Sequence, residues 1–502
     1  MLDLGKIFSY SAKEPLLFNQ YTFLLLFTVM FAGYTLIHGK IKVRNIYLLV
    51  FSLFFYYKCS GLYFFLLIFS TIVDFILGFL IHRTERKSIK RTFLFASIVV
   101  NLGLLGFFKY SYFFVDSINA LFDTSWEAVN FLSVFANHLA IGHFDIHEIL
   151  LPVGISFYTF QTLSYSIDIY RGKIEPCENF FDFAFFVSFF PQLVAGPIVR
   201  AADFLPQIKR PYFLSSEGFA NATYLIMAGL IKKVVISDYI SVNFVDRVFE
   251  TPDIYSGFMN LMAVYGYSIQ IYCDFSGYSD IAIGLAALLG FTLPANFNSP
   301  YKSLNITDFW RRWHISLSTW LRDYLYISLG GNRKGKIRTY FNLFVTMLLG
   351  GLWHGAALKF IIWGTLHGIA LAFHKMWSKY TKLNLGIFGT ILSFLVTFHF
   401  VAFCWLYFRA PDMNIVSLML ENIWSNFDLQ GAVSKVTGYW RVFALMGLGY
   451  LIHLLPSRLK NKIQQSYGQA PIFLKIILFV FVIFGIYQAT TAGIQPFIYF
   501  QF

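Results

Sequence analysis

Long runs without a single charged side chain constrain this chain more than anything else in it. Residues 16–37, 339–358 and 383–408 carry no Asp, Glu, Lys or Arg, and nothing after Lys475 is charged. A helix that crosses a bilayer needs roughly 20 mostly apolar residues, and several stretches reach that length. Only 13% of the 502 residues are charged, about half the ~25% usual in soluble domains. A water-soluble fold and a disordered chain are both excluded. The chain reads as all-α and polytopic, with about 11 transmembrane helices by span arithmetic and further re-entrant or interfacial helices. The first apolar run is too long for a signal-peptide core and reads as a retained helix.

The net charge of +13 does not point to nucleic acid. Its Lys and Arg residues fall in short clusters between apolar segments, as the positive-inside rule produces. Lys40, Lys42 and Arg44, then Arg83, Arg86, Lys87, Lys90 and Arg91, then Arg458, Lys460 and Lys462, are expected in cytoplasmic loops. Residues 110–170 and 410–434 contain no Lys or Arg; the first stretch is expected to begin and stay mostly outside before re-entering near Pro152, and the second to lie outside. Both termini are then extracytoplasmic, with a tight external hairpin near Gly61. Cys59, Cys177, Cys273 and Cys404 form no Cys-x-x-Cys pair, which argues against a zinc site or a disulfide framework. No metal site is expected.

The chain reads as one integral membrane unit, 1–502, in three parts. A plain helical frame covers 1–170. In a core over 171–382, apolar segments are shorter and interrupted by Gly, Pro and charge. C-terminal helices and an external aromatic tail make up 383–502. Interrupted or charged backbone at membrane depth survives only where it is buried in protein or lines a wet cavity.

Four groups of residues could carry chemistry. Lys232 and Lys233 sit inside an apolar string. They fit either a helix end with both side chains snorkelling to headgroups or a cationic lining for a phosphate-bearing ligand. The block Asp308-Phe309-Trp310-Arg311-Arg312-Trp313-His314-Ile315-Ser316, taken as one helix, puts Trp310, Trp313 and His314 on one face. On residues alone it reads as an interfacial helix with aromatic and basic anchors. Its functional reading has Arg311 and Arg312 gripping phosphates, with His314 in the core. His354, in Gly350-Gly351-Leu352-Trp353-His354-Gly355, lies deep in an apolar run. An ionisable residue at that depth is a functional candidate by default, and imidazole suits general-base work. The flanking glycines would admit a thin substrate or simply allow close packing. Tyr499 is either an aromatic anchor or a phenol nucleophile needing a base. Asp274 and Asp280 read as pocket residues or as partners of the central arginines, and His367, His374 and His399 as structural.

Several stretches together resemble the membrane-bound O-acyltransferases, in particular the bacterial branch containing alginate O-acetyltransferase. They are Leu151-Pro152-Val153-Gly154-Ile155-Ser156-Phe157-Tyr158-Thr159-Phe160-Gln161, Pro191-Gln192-Leu193-Val194-Ala195-Gly196-Pro197, the Asp308–Ser316 block, Trp353-His354-Gly355, and Lys232-Lys233-Val234-Val235-Ile236. The resemblance implies a ring of tilted helices around a thin centre, open as a funnel to the cytoplasm. His354 would be the catalytic histidine and His314 its polar partner. The donor would be cytoplasmic acetyl-CoA, a substrate and not a bound cofactor. Lys232, Lys233, Arg311 and Arg312, with Trp310 and Trp313, would form its site. The terminal Phe497-Ile498-Tyr499-Phe500-Gln501-Phe502 resembles an aromatic motif of this branch and the end of the small partner protein of D-alanine transfer, whose tyrosine holds the acyl group in transit; by that resemblance Tyr499 would accept the acyl group and offer it outside. A separate extracytoplasmic SGNH-type esterase-like protein would then acetylate a polysaccharide such as alginate or peptidoglycan. The setting implied is the bacterial inner membrane. D-Alanyl or other short-acyl transfer from a carrier-protein thioester, and a polytopic transporter, are the alternatives.

Overall fold

The computed structural model describes residues 8–11, 15–139, 143–380, 386–429, 431–490 and 496–498. The chain is 77% helical with no strand among the described residues. Its long helices are α1 (Tyr21–Ile37), α2 (Ile41–Ser60), α3 (Phe64–Arg83), α4 (Lys87–Phe122), α5 (Ile155–Tyr170), α6 (Ser216–Leu230) and α7 (Gly257–Leu288). They continue with α8 (Lys336–His354), α9 (Leu358–Tyr380), α10 (Gly386–Arg409), α11 (Trp440–Leu454), α12 (Ser457–Gln469) and α13 (Ile472–Thr490).

Among the described residues, three helical stretches are long and apolar enough to cross a membrane: Ile41–Arg83, Lys87–Phe122 and Gly386–Arg409. The pair α11 and α12, bent by 98°, makes a fourth if it is one span. Tyr21–Ile37 and Ile472–Tyr487 are apolar but shorter. The run Ile41–Arg83 is interrupted at Gly61, where φ is +58°. Both halves pack on the short helix Phe180–Ser188, and α3 packs in addition on α4 and α5. The basic residues after Pro456, expected in a loop, stand on helix α12.

Polar groups tie the frame together. Asp74 of α3 is buried and accepts from Ser97 Oγ (2.7 Å) and Asn101 Nδ2 (2.8 Å) of α4, and from Ser166 Oγ (3.3 Å) of α5. Arg44, expected in an exposed cytoplasmic cluster, is buried instead. Its guanidinium donates to the Ile208 and Arg210 carbonyls at 2.6 and 2.9 Å, capping the helix Ala201–Ile208. A helix end facing protein has no water to satisfy its last carbonyls, and an arginine fork does so with charge.

The centre is irregular. Wide π turns run over Ile231–Asp238, Ser241–Val245 and Leu321–Tyr326, and short helices over Phe190–Leu193, Ile306–Arg312 and Ile315–Trp320. Helix α7 runs through this region buried on all sides, including Asn260, Ser268, Gln270, Asp274, Ser276 and Ser279. It meets α6 at glycines: a Cβ on Gly229 would lie 2.6 Å from the Gly277 carbonyl oxygen, so the backbones touch. Small residues permit that approach where the apolar driving force between helices is weak. Two apolar clusters result. One is built on α1–α5 and the other on the later helices, and α7 contributes to both.

Replacing Asp74 with Ala leaves the Ser97, Asn101 and Ser166 donors without their shared acceptor. A loss of about 1–3 kcal/mol is expected, read as a lower midpoint of unfolding in detergent. An unchanged midpoint would show that the network contributes nothing to holding α3, α4 and α5 together.

Candidate active site

The motif stretches that lie far apart in sequence meet around one tryptophan. Trp353 donates its indole N–H to the Ser156 carbonyl (3.4 Å) and packs on Phe157 and Phe160, both at 5.4 Å between centroids. Its other neighbours are His314 at 6.1 Å and His354 at 5.0 Å. Phe160 in turn stacks on Trp320 at 3.7 Å and 4°. Gly154 starts α5 at φ +76°, and a Cβ there would stand 2.7 Å from the Leu193 carbonyl oxygen, so the first motif closes on the second. The Ile198 amide, next to Pro197, donates to Ser316 Oγ at 3.0 Å and joins the second to the third.

The Asp308–Ser316 block is not one helix. The helix Ile306–Arg312 ends at Trp313, His314 adopts φ +43° and ψ +55°, and a new helix starts at Ile315. The cause is Asn296. Its carbonyl accepts the Ile315 amide (2.9 Å), and its side-chain oxygen accepts the Ser316 amide (3.2 Å) and hydroxyl (2.9 Å) and pairs with His314 Nδ1 at 3.3 Å. The expected single face is thus replaced by a corner. Trp313 packs on Trp405, His314 is fully buried against Phe275 (4.5 Å), and Trp310 donates to His367 Nδ1 at 3.3 Å. Arg311 is exposed, and the half-buried Arg312 pairs with Asp308 at 3.0 Å.

His354 is the last residue of α8, whose end lies inside the protein. Its final carbonyls are met from α4: Tyr110 Oη donates to Leu352 O (2.5 Å), and Lys109 Nζ to Trp353 O (2.7 Å) and His354 O (3.0 Å). A cation and a hydroxyl at a helix C-terminus satisfy orphan carbonyls and complement the dipole. On its outer side the imidazole packs on Trp363 and Phe408, both at 5.1 Å. The glycines near it serve packing. A Cβ on Gly351 would stand 2.3 Å from the Phe360 carbonyl oxygen, and one on Gly355 would enter the Phe360 ring. Trp353 belongs to one apolar cluster, and Trp363 and Phe408 to the other. His354 therefore sits on the seam between the two.

Lys232 and Lys233 are paired within the protein, and not with headgroups. Lys232 pairs with Asp280, and Lys233 lies 2.7 Å from Asp274 and 2.8 Å from Asp238. Asp274 and Asp280 thus answer the lysines, not the arginines. Tyr499 lies outside the described residues. Three neighbours of the site escaped the sequence reading. Lys109 is the one Lys or Arg of α4 beyond its basic first turns, in an apolar stretch where a cation is itself a warning of function. Tyr110 and Asn296 carry no such local signal. His367, taken as structural, is buried with its ring 4.7 Å from Trp363. Among the described residues no cluster of His, Cys, Asp and Glu could hold a metal ion.

A buried histidine at an interior helix end, with a second buried histidine across a shared tryptophan, is the candidate active site. Residues 177–409 match the model of the membrane-bound O-acyltransferase family, MBOAT. The chain is 38% identical over 450 residues to the peptidoglycan O-acetyltransferase of Helicobacter pylori, covering 84% of this chain and 82% of that one. It is 41% identical over 418 residues to the probable alginate O-acetylase AlgI of Pseudomonas aeruginosa, covering 82% and 75%. The teichoic acid D-alanyltransferase of Bacillus subtilis matches at 33% over 281 residues, 52% of this chain and 69% of that one. The chain belongs to the MBOAT family and is a membrane-bound acyltransferase.

Lys109→Met should leave the fold intact and lower acyl transfer. Two charged hydrogen bonds at about 1.5–3 kcal/mol each hold the end of α8, so a fall of about 10- to 100-fold in kcat is expected. Tyr110→Phe should fall less, because it removes one neutral donor. Full activity in both would show that the cap does not position His354.

Proposed function

We propose that this chain takes an acetyl group from cytoplasmic acetyl-CoA and delivers it across the inner membrane for O-acetylation of a cell-surface or secreted polysaccharide. The observation that carries the reading is Trp353, packed on Phe157 and Phe160 of the first motif stretch and lying between His314 and His354. The relatives from Helicobacter and Pseudomonas, named for peptidoglycan and alginate, support a polysaccharide acceptor.

In this reading a hydroxyl oxygen attacks the thioester carbonyl while His354 takes its proton. The C–S bond breaks, and the CoA sulfur leaves as thiolate and is reprotonated. His314 polarises or positions the thioester. Tyr499 is the attacking hydroxyl and carries the acetyl group as a phenolic ester to an extracytoplasmic SGNH-type enzyme, which passes it to the glycan. Exposed Arg311, with Arg312 beside it, is suited to the donor's phosphates, and Trp310 and Trp313 brace the corner that holds His314. Lys232 and Lys233 leave the donor site, since their charge is met by Asp280, Asp274 and Asp238. In this reading both termini are outside, which the clustering of Lys and Arg supports. A carrier-protein thioester as donor is the second reading, supported by the D-alanyltransferase relative.

The test is to incubate the purified chain with acetyl-CoA labelled in the acetyl group and to map label by peptide mass. Label is expected on the peptide holding Tyr499. His354→Ala should lower it by about 10²–10⁴-fold, the usual contribution of a general base. CoA release without label on that peptide would remove the tyrosine step. Label from a carrier-protein thioester but not from acetyl-CoA would replace the donor.

A further inference from the structure

Lys233 is buried to 1% exposure within a cluster of one cation and two acids. Burying charge is costly unless every polar atom is met. Here the chain's own C-terminal segment completes the set. The ammonium of Lys233 donates to the Pro496 carbonyl at 3.0 Å, and the Ile498 amide donates to Asp274 Oδ2 at 3.0 Å. The other Asp274 oxygen faces Lys233 at 2.7 Å. Between these two backbone bonds the Phe497 ring lies under the ammonium at 4.6 Å and edge-on to Tyr278 at 4.8 Å. Phe497 belongs to one apolar cluster and Ile498 to the other.

The three residues are therefore built into the seam on which His354 also lies. Beside them is a cavity of about 340 Å³, lined by Lys233, Asp274, Pro496, Ile498, Lys359 and Arg409 among others. Arg409 follows Phe408, whose ring packs on His354 at 5.1 Å. The cavity lining thus joins the C-terminal segment to Lys359, at the start of α9, and Arg409, at the end of α10. Two further polar atoms on its lining residues, Tyr267 Oη and Gln270 Oε1, are buried and meet no hydrogen-bond partner among the described residues. That marks it as a polar chamber and not a packing void.

We propose that Lys233 and Asp274 form a clamp for the chain's backbone at Pro496–Ile498, fixing this segment at the chamber. Both bonds go to main-chain atoms, so the clamp grips the segment whatever its side chains do. Lys233 and Asp274 are positioning residues, and this deepens the acyl-transfer reading and rests on it for the role of Tyr499.

Hydrogen exchange of the full chain in detergent tests the clamp without any acyl donor, in a His354→Ala background. The Ile498 amide should be protected, and Asp274→Ala should speed its exchange at least about tenfold, the effect of losing one charged hydrogen bond. Asp274→Asn keeps an oxygen acceptor and should restore part of the protection. Ile498→Pro deletes the donor and leaves the charged cluster intact, so exchange of the neighbouring Phe497 amide should rise even if Asp274→Ala fails to fold. Exchange as fast as in a free peptide, or unchanged by both substitutions, overturns the clamp. With His354 restored, Asp274→Ala should also lower label on the C-terminal peptide at least about tenfold. Full label there, with the segment released, overturns the positioning role. A protected segment in a fully active Tyr499→Phe chain removes the tyrosine step and leaves the clamp supported.

Discussion

A helix that stops inside a membrane protein leaves carbonyls with no water to turn to, and α8 is such a helix. The protein answers with Lys109 and Tyr110, both from α4. That one junction decides where the imidazole of His354 stands, because the residue that ends the helix is the residue whose carbonyl is held. It also binds the N-terminal frame to the later helices at the point where the two apolar clusters meet. The close approach of α8 and α9 at Gly351 fixes the same end from the other side.

Charge elsewhere in the centre obeys the same rule of complete satisfaction. Lys232 and Lys233 are answered by three acids, Asp74 by donors from two neighbouring helices, and Arg44 by the open end of a short helix. In low dielectric a half-satisfied group is more costly than an apolar one, so each of these groups specifies which helices adjoin. Close backbone contact at Gly229 and Gly277 then becomes possible around the paired lysines.

The class of fold and the burial of His314 and His354 were legible in the chain. Uncharged runs announce membrane helices, and a histidine buried in one is costly enough to be conspicuous. The wrong inferences were local ones. The block around Trp313 has helical spacing, yet Asn296, from the loop 18 residues upstream, breaks it at His314. Lysines in an apolar string look like ligand contacts until their acids are found 41 and 48 residues away. Glycines beside a histidine look like room for substrate, whereas Phe360 fills that room.

Sequence by itself determined what must be buried, because hydropathy and charge are properties of each residue and its near neighbours. It determined all-helical structure, membrane residence and the candidacy of His314 and His354. Tertiary structure alone decided the pairings: which lysine caps α8, which aspartates meet Lys232 and Lys233, and which cluster receives Phe497 and Ile498. Those are contacts between segments up to 263 residues apart, as Lys233 and Pro496 are. A buried polar group requires a partner but does not name it, and only the packing of helices selects which one comes within reach.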